Sequence, residues 1–550
     1  MARTRLLLSQ KLMMCIVLTV WGASVVAHAQ AQAAAVAPVK KSCTVNTSPP
    51  NPAETALNKG DFSSAETLFR ALLANSADNE SAHEALIRTI LAQDMVADAA
   101  KDAESWAASA PSSSMALTAL GDVRLRQGEP RLAFTQFQKA AQADLCNARA
   151  YYGLAQVDGL AGMYASGKRL IEQAYKLHPS DDDINTAWIA TLPRAERLAK
   201  WADYAEHSDQ ISEQNRAKLK TRLQKESLSH ASDCRMAPTS PREATIPMAT
   251  IMDGPNRMAG YALDVKFNGK GRRLQIDTGS GGIMISRAAA LFLGIQREDA
   301  SKSWGVGDEG DVKTSVTHVA SIKIGGVEFT NCRVEILEKW SVLDTDGLIG
   351  GDVFADSLLT LDFPKRQLRL APLPERPGDK KSDPASSGAA GDDEDVEPHD
   401  QYIAPGMEKW QWIYRSGHDL LMPTGIVETN SMKEESAWKE KLFLLDTGAE
   451  SNLISPAAAK EVTKVFRDES MEISGISGKV DKVYQTDKFT LAFAGLRLDS
   501  PPMTAIDTTK LSHDDGVEIS GLIGQPALFQ VVMHIDYRDN LVWCEYTAKK

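Results

Sequence analysis

The sequence predicts a multidomain protein in which an α-helical repeat array precedes an all-β region made of two lobes. An alanine- and leucine-rich segment in the first half repeats with a period of 34 residues. Two similar passages, LQIDTGSGGIMIS at residues 274–286 and FLLDTGAESNLIS at residues 443–455, mark a duplicated unit in the second half. At 550 residues the chain is too long for one hydrophobic core, so several domains are expected.

The N-terminus has the composition of a signal peptide, which we place at residues 1–29. Basic residues precede the apolar stretch of residues 12–27, and Ala-His-Ala at residues 27–29 fits a cleavage site. The apolar stretch is short for a membrane-spanning helix, which needs about 20 residues. We therefore expect a periplasmic or secreted protein without a membrane span after signal removal. An uncleaved N-terminal membrane anchor is the alternative.

Composition argues against two classes of function. The net charge is -12 and no basic stripe compensates for it, so a nucleic-acid partner is not expected. The ten histidines lack the paired spacing of metal ligands, so neither a metal nor another cofactor is expected. The cysteines are widely spaced and do not look catalytic, although an exported protein could pair some of them.

A helical repeat array is predicted over residues 52–193. Turn residues, small alanines and core leucines each recur at a step of 34. The pattern resembles the tetratricopeptide repeat (TPR) in about four copies, although most of the signature aromatic residues are absent. A generic alanine-rich helical bundle is the alternative. The predicted turn residues are Gly60, Asp94, Gly128 and Gly162.

The resemblance to repeat arrays implies a peptide or protein partner on the concave face, but no residue identifies it. Residues 195–240 are charged and helix-prone. We expect this segment to cap the array and to join it to the second half of the chain.

The second half is a duplication of one all-β unit, with copies at residues 243–373 and 402–548. DGLIGGDVFADSLLTLDF, from residue 346, matches SGLIGQPALFQVVMHIDY, from residue 520. Apolar runs bounded by glycines are typical of short strands. Between the copies, residues 374–401 are rich in Pro, Gly, Ser and acidic residues, which predicts a flexible linker.

Each copy carries Asp-Thr-Gly after an apolar strand and Gly-Leu-Ile-Gly further on, and this combination resembles the aspartic proteases. The Asp-Thr-Gly-Ala form is similar to the retropepsins, whereas two unequal copies in one chain are similar to the pepsin-type arrangement. The resemblance covers residues 243–548. It implies a bilobal β-barrel fold and an aspartic-type endopeptidase, a hydrolase that acts on a peptide or protein substrate.

We assign catalysis to Asp277 and Asp446. Peptide hydrolysis without a metal needs an activated water molecule and an acid, and two carboxylates that share one proton supply both. Two such groups about 3 Å apart cannot both ionise easily. One accepts the proton of the water while the other donates to the carbonyl oxygen, and the pair titrates as a unit.

The residues next to the two aspartates are expected to support the catalytic loops. By the family pattern, the threonines brace the loops across an approximate two-fold axis, and the glycines allow close backbone approach. We expect the Ser280 hydroxyl to bond the outer oxygen of Asp277. Ala449 cannot do this for Asp446, so the halves are chemically unequal. The supporting residues are Thr278, Gly279, Ser280, Thr447 and Gly448.

Two glycine-rich hairpin tips, at residues 303–310 and 474–481, are candidates for flaps that bind the substrate. Gly305 and Gly475 are their candidate contact positions, and two ordinary hairpins are the alternative. The flap tyrosine of pepsin-type enzymes has no clear counterpart. The aromatic residues nearest to these tips are Trp304 and Tyr484.

Three hypotheses of function follow from this sequence. The first is an exported aspartic endopeptidase whose helical repeats recruit a substrate or a partner. The second keeps the chemistry but pairs each β unit with its equivalent in another chain, which gives retropepsin-like homodimeric sites. The third is a non-catalytic scaffold whose lobes bind peptide without cleaving it.

Overall fold

The computed structural model describes residues 42–228, 234–255, 257–303, 305–339, 345–377, 398–431 and 437–547. The predicted signal peptide, most of the predicted linker and Trp304 lie outside these residues. Within the described ranges, no helix combines the length and the apolar character that crossing a membrane requires.

The described chain from residue 52 to residue 228 is helical. One series of helices begins at residues 80, 114, 148 and 182, and a second begins at residues 62, 96, 130 and 164, so both series step by 34 residues. The predicted array is therefore present. The helices are α1 (Pro52–Asn58), α2 (Phe62–Asn75), α3 (Glu80–Ala92), α4 (Val96–Ser109), α5 (Ser114–Arg126), α6 (Pro130–Ala143), α7 (Ala148–Leu160), α8 (Tyr164–Leu177), α9 (Asp182–Ala190), α10 (Arg194–His207) and α11 (Glu213–Leu228).

The helices of the first series begin at capping residues that also repeat every 34 positions. Each of these side chains accepts a hydrogen bond from a backbone N–H in the first helical turn. Because those N–H groups have no partner within the helix, the caps fix where each helix starts. The capping residues are Asn79, Ser113, Asn147 and Asp181.

Each predicted turn residue directly precedes a helix of the second series, and three of the four follow a helix of the first series. All four have left-handed backbone conformations, with φ of 80° at Gly60, 59° at Asp94, 69° at Gly128 and 77° at Gly162. Glycine adopts this conformation without steric cost, and aspartate is among the few other residues that tolerate it. The 34-residue period of the sequence therefore reflects turn residues and capping residues that recur at this step.

The second half of the described chain forms two β lobes. The elements of the first lobe are β1 (Arg235–Met236), β2 (Ala244–Pro247), β3 (Ala249–Asp253), β4 (Arg257–Phe267), β5 (Lys270–Asp277), β6 (Ile283–Ser286), α12 (Arg287–Leu293), β7 (Asp299–Ser303), β8 (Val312–Ile324), β9 (Val327–Leu337), β10 (Gly347–Gly350), a 3₁₀ helix (Gly351–Phe354), β11 (Ser357–Asp362) and β12 (Gln367–Pro372).

The elements of the second lobe are β13 (Gln411–Trp412), β14 (Tyr414–Ser416), β15 (Asp419–Val427), a 3₁₀ helix (Thr429–Ser431), β16 (Lys439–Leu445), β17 (Leu453–Ile454), α13 (Pro456–Lys460), β18 (Val465–Arg467), β19 (Ser474–Gly475), β20 (Gly478–Lys479), β21 (Val483–Thr486), β22 (Phe489–Phe493), β23 (Leu496–Ser500), β24 (Thr504–Ile506), α14 (Thr509–Asp515), β25 (Gly521–Ile523), α15 (Gln525–Leu528), β26 (Val531–Asp536) and β27 (Leu541–Tyr546).

Each lobe is built on one large sheet. In the first lobe the strands pair in the order β9-β6-β10-β5-β4-β8, and β8 pairs again with β9, so the pairing closes on itself. In the second lobe the order is β18-β21-β24-β17-β25-β16-β15-β22-β23. One large hydrophobic cluster contains buried residues of both lobes.

A third sheet joins the lobes, and the duplication alone did not predict it. Its order is β13-β27-β26-β11-β12-β2. At its centre β11 of the first lobe pairs antiparallel with β26 of the second, with Leu359 opposite Ile535. These are the equivalent strands of the two copies, so the lobes are held together by hydrogen bonds between matching segments.

The helical array packs directly on the second lobe. One continuous core contains Phe137 and Leu154 from the array together with Leu421, Leu442 and Ile519 from the lobe. This shared core buries apolar surface from both sides, which is the main source of stability at such contacts.

Polar contacts at the end of α5 accompany this packing. The Arg126 guanidinium donates to the Ser512 carbonyl at 2.8 Å, and the Glu518 N–H donates to the Arg126 carbonyl at 3.0 Å. Arg126 also forms an ion pair with Asp94 at 2.6 Å. Asp94 is the turn residue between α3 and α4. The array therefore has a fixed orientation on this lobe.

The connection from the array to the first lobe includes a disulfide. Cys234 is bonded to Cys332 in β9, and β1 pairs with the same strand. Residues 235 and 236 fall within the segment that the sequence predicts to be a cap, but they belong to the sheet of the first lobe. Cys544 is a buried free thiol.

We predict that the caps differ in strength along the array. Asn147 is buried, and besides capping α7 its amide donates to Ser114 Oγ at 2.8 Å and to Thr118 Oγ1 at 2.9 Å. Asn147→Ala should lower the free energy of unfolding by about 3 kcal/mol, because it removes a cap and two buried hydrogen bonds. Urea unfolding followed by circular dichroism measures the change.

Asn79→Ala is the matched control, since Asn79 caps α3 two repeats earlier with its one hydrogen bond to the Ala82 N–H. It should cost about 1 kcal/mol. Equal losses in the two variants would contradict the role of the bonds between repeats.

Candidate active site

The two aspartates lie at the ends of matching strands. β5 ends at Asp277, and Asp446 directly follows β16. In each lobe the Gly-Leu-Ile-Gly strand runs parallel to this strand and antiparallel to the next, β10 between β5 and β6, and β25 between β16 and β17. The glycine-rich strands therefore support the catalytic loops from the side.

Two threonines join the loops by reciprocal hydrogen bonds. The Thr278 N–H donates to Thr447 Oγ1 at 3.0 Å, and the Thr447 N–H donates to Thr278 Oγ1 at 3.1 Å. The Thr278 hydroxyl donates in turn to the Leu445 carbonyl at 2.6 Å, and the Thr447 hydroxyl to the Ile276 carbonyl at 3.0 Å. Both threonines are almost fully buried, so these four bonds fix the two loops against each other.

Each loop glycine lies against the aspartate of the other lobe. A Cβ atom at Gly448 would fall 2.4 Å from Asp277 Cγ, and one at Gly279 would fall 2.9 Å from Asp446 Cγ. Any larger residue at these positions would therefore displace a carboxylate. The structure thus brings Asp277, Asp446, Thr278, Thr447 and both glycines into one place.

The two carboxylates have unequal hydrogen bonds. Asp446 Oδ1 accepts from the N–H groups of Gly448 at 2.8 Å and Ala449 at 2.9 Å. Asp277 Oδ1 accepts from the Gly279 N–H at 2.9 Å. A second backbone donor stabilises the charged form, which favours Asp446 as the anion of the pair.

The pKa shifts agree with this inequality. Burial raises the pKa of Asp277 well above its ordinary value, and the charge of Asp446 and a hydrogen bond to it raise that pKa further. Burial also raises the pKa of Asp446, but the hydrogen bond from Asp277 and the backbone N–H groups act against that increase. The two carboxyl groups therefore form one coupled pair, in which Asp446 has the additional backbone donor.

Ser280 does not take the expected position. Within the described structure its hydroxyl makes no hydrogen bond to Asp277, and its backbone N–H donates to the Asp277 carbonyl at 3.3 Å. The loop is held instead by Asp352, whose carboxylate accepts from the Gly282 N–H at 2.9 Å. The two carboxylates thus differ in their hydrogen-bond donors because the Ala449 N–H bonds Asp446, and not because the Ser280 hydroxyl bonds Asp277.

The two predicted flap tips contact each other. The Gly305 N–H donates to Ser477 Oγ at 3.0 Å, and the Ser477 N–H donates to the Val306 carbonyl at 3.0 Å. Gly305 and Gly475 both line the cleft that contains the aspartates. Tyr484 lies in β21 and packs against the hydrophobic core of the lobes.

The cleft has a volume of about 1010 Å³ and contains acidic residues that the sequence analysis missed. Asp352 follows Gly-Leu-Ile-Gly in the first copy, where the second copy has Pro526. His418 and Asp419 lie at the start of β15, outside any motif. A comparison of the two copies position by position is the signal that could have found them.

The environment of these residues shifts their pKa values. Burial raises the pKa of Asp419 to about 8, and the negative charges of Asp515, Asp446 and Asp352 contribute. Burial also raises the pKa of Asp352, and burial lowers the pKa of His418. In the part of the chain that the structure describes, no cluster of three or more His, Cys, Asp or Glu residues could hold a metal ion.

We predict that the threonine bonds stabilise the whole domain. Thr447→Val leaves the buried Thr278 N–H and the Ile276 carbonyl without a partner, so the free energy of unfolding should fall by about 2–4 kcal/mol. Thr447→Ser keeps the hydroxyl and should stay within about 1 kcal/mol of the wild type. Denaturant unfolding compares the two, and equal stability of both variants would contradict the prediction.

We also predict a pH-dependent stability from Asp419. Its pKa is about 8 in the folded protein, whereas an unfolded aspartate has a pKa of about 3.9. Between these values the folded state holds a proton that the unfolded state has lost, so stability falls as pH rises.

Asp419→Asn removes this difference between the folded and unfolded pKa. The free energy of unfolding of the variant minus that of the wild type should therefore increase by a few kcal/mol from about pH 4 to pH 8. The free energy of unfolding of both proteins, measured at pH 4, 6 and 8, tests this prediction. A constant difference between the two across this range would refute it.

Comparisons with known proteins agree with this geometry. The family model described as aspartyl protease matches residues 263–363 and 438–527. These segments lie in the two β lobes and contain both aspartates. A search of curated proteins gave no match.

Solved structures match different parts of the chain. A thermophilic TPR protein from Thermus thermophilus is 21% identical, covering 31% of this chain and 92% of its own, with a TM-score of 0.25. A retropepsin-like aspartic protease from Rickettsia conorii is 19% identical, covering 26% and 96%, with a TM-score of 0.19. An aspartic proteinase from Irpex lacteus is 10% identical, covering 56% and 98%, with a TM-score of 0.32.

Segments of both β lobes match the aspartyl protease family model, and the two Asp-Thr-Gly loops meet between these lobes. Together these observations support an aspartic-type hydrolase that is preceded by TPR-like repeats.

Proposed function

We propose that the protein is an exported aspartic endopeptidase that uses one dyad, Asp277 and Asp446, within a single chain. The observation that carries this proposal is the reciprocal hydrogen bonding of the two loops, which holds both carboxylates in one buried site. Because the lobes also share a sheet, a second chain is not needed to complete the site, which favours this hypothesis over homodimeric sites.

The unequal pair fits peptide hydrolysis. The Asp446 carboxylate accepts a proton from a water molecule whose oxygen attacks the carbonyl carbon, while the Asp277 carboxyl donates its proton to the carbonyl oxygen. The tetrahedral intermediate then loses the C–N bond as the nitrogen takes the proton held by Asp446. Asp277 regains its proton from the oxygen, and the pair returns to its starting state.

Access to the dyad requires the flap tips to separate. The tips are joined by backbone bonds from Asp308 to the Lys479 carbonyl and from Glu309 to the Ser477 carbonyl, each 2.9 Å. A polypeptide enters when these bonds open, and the backbones at Gly305 and Gly475 then contact it. Such loop opening is a common gate in enzymes that bind polymers.

We further propose that the helical array recruits a substrate or partner. Its support is the packing of the array on the second lobe through a shared core. A protein held by the repeats is thereby kept at a fixed distance from the cleft, which raises its local concentration there.

Export is the third part of the proposal. Residues 1–29 have the composition of a signal peptide, and the alternative is an N-terminal membrane anchor. The disulfide between Cys234 and Cys332 supports export, because such bonds persist in oxidising compartments.

Asp277→Asn and Asp446→Asn should each reduce cleavage of a peptide library by about 10³-fold or more, because the dyad then lacks either its acid or its base. The assay is mass spectrometry of the products between pH 3 and pH 8, with and without an aspartic-protease transition-state mimic. Asp264→Asn, an exposed carboxylate of the first lobe, controls for the change in charge.

Two results would contradict this proposal. Full activity in either dyad variant would exclude the single dyad. Peptide binding by a folded wild-type protein that cleaves no library member would favour the non-catalytic scaffold.

A further inference from the structure

The cleft around the dyad is lined mainly by acidic residues. Besides the two aspartates, the described lining contains five acidic side chains but one arginine and one histidine. The protein as a whole is also negative, with a net charge of -12. The acidic lining residues are Glu335, Asp352, Asp419, Glu450 and Glu472.

Asp419 differs from the other acids because it is buried without a donor. It is 9% exposed, and it accepts no hydrogen bond from any described residue. The imidazole of His418 lies beside it, with Nε2 at 3.5 Å from Oδ1, and burial lowers the pKa of that imidazole. A neutral imidazole at this distance does not neutralise the carboxylate.

Other acids of the lining already have partners. Glu335 accepts from Thr314 Oγ1 at 2.6 Å, and Asp352 accepts from the Gly282 N–H at 2.9 Å. Glu472 is exposed and pairs with Lys479 at 3.1 Å. These three acids thus have a donor or a cation within the chain, whereas the carboxyl group of Asp419 has no hydrogen-bond donor among the described residues.

The duplication shows that this acid is a specific feature of one lobe. Leu421 lies opposite Leu444, two residues before Asp446, and Ala262 lies opposite Gln275, two residues before Asp277. Asp419 lies two residues before Leu421, and Gly260 lies two residues before Ala262. Asp419 of the second lobe is therefore equivalent to Gly260 of the first lobe. The cleft therefore has a carboxyl group on one side of the dyad and none at the matching place on the other.

A buried carboxyl group surrounded by negative charge lacks a cation. Burial and the charges of Asp515 and Asp446 raise its pKa to about 8, which means that its charged form is poorly stabilised by the chain itself. An ammonium or guanidinium group would supply both the missing charge and the missing donors, and charge-assisted bonds of this kind are strong. Apolar lining residues such as Leu444, Leu511 and Leu522 suit the methylene stem of such a side chain.

We propose that Asp419 forms a subsite beside the dyad for a cationic side chain of the substrate, lysine or arginine. The inference rests on the proposed function, since it names the substrate class of the same cleft. Because Asp419 has no counterpart in the first lobe, the subsite also sets the direction in which a peptide lies across the dyad.

Binding of non-cleavable peptides tests this subsite without relying on catalysis. Each peptide would have a reduced, non-cleavable central bond and one variable position, placed on one side of that bond or the other. One set of peptides carries arginine or lysine at the variable position, and the matched set carries citrulline or norleucine. Calorimetry with the full chain should give about 10- to 100-fold tighter binding for the cationic peptide at one of the two positions. Equal affinity at both positions would overturn the proposal.

Asp419→Asn should remove this preference, and Asp419→Glu should retain part of it. Asp264→Asn makes the same change in net charge at an exposed site and should leave the ratio of affinities within about twofold of the wild type. A preference that persists in Asp419→Asn would assign the selectivity to other groups and would refute the role of this residue.

Cleavage of the matched substrates separates the two proposals. An active enzyme with no preference for cationic peptides refutes the subsite and leaves the protease function standing. A preference in binding that depends on Asp419, in a wild-type protein that cleaves nothing, supports the subsite and refutes the protease function. Should no cationic peptide bind measurably, the subsite is refuted.

Discussion

The reciprocal hydrogen bonds between Thr278 and Thr447 are the constraint on which the rest of the site depends. They cross from one lobe to the other in a fully buried place, where each bond is strengthened by the low dielectric and each missing bond is costly. Only with these loops fixed can Gly279 and Gly448 lie against the opposite carboxylates. The shared sheet of β11 and β26 carries this constraint into the body of both lobes.

Several features could be predicted from the sequence because their causes are local. The array follows from turn residues, alanines and leucines at a fixed step, and the structure places the four predicted turn residues between helices. The position of the catalytic loops follows from Asp-Thr-Gly at a strand end, and the two loops do meet. The signal peptide and the catalytic roles remain predictions, which the fold alone does not test.

Other features could not be predicted because they arise between distant segments. The sheet that joins the lobes and the core cluster that contains both Phe137 and Leu421 bring together residues that no motif connects. The expected bond from the Ser280 hydroxyl to Asp277 is absent among the described residues, and Asp352, 72 positions beyond Ser280, accepts from the same loop at Gly282. Asp419 was missed for a similar reason, since a single acid in an apolar strand has no meaning until its burial is known.

The common core of the repeats and the second lobe has a consequence for the history of this protein. Arrays of this type are usually exchangeable modules, joined to their neighbours by linkers that recombination can cut and rejoin. Here the boundary runs through a buried cluster that includes Leu154 and Ile519, so a change of side-chain volume on one side alters the packing of the other. We expect homologous chains to retain or lose the pair together, with compensating substitutions across the contact.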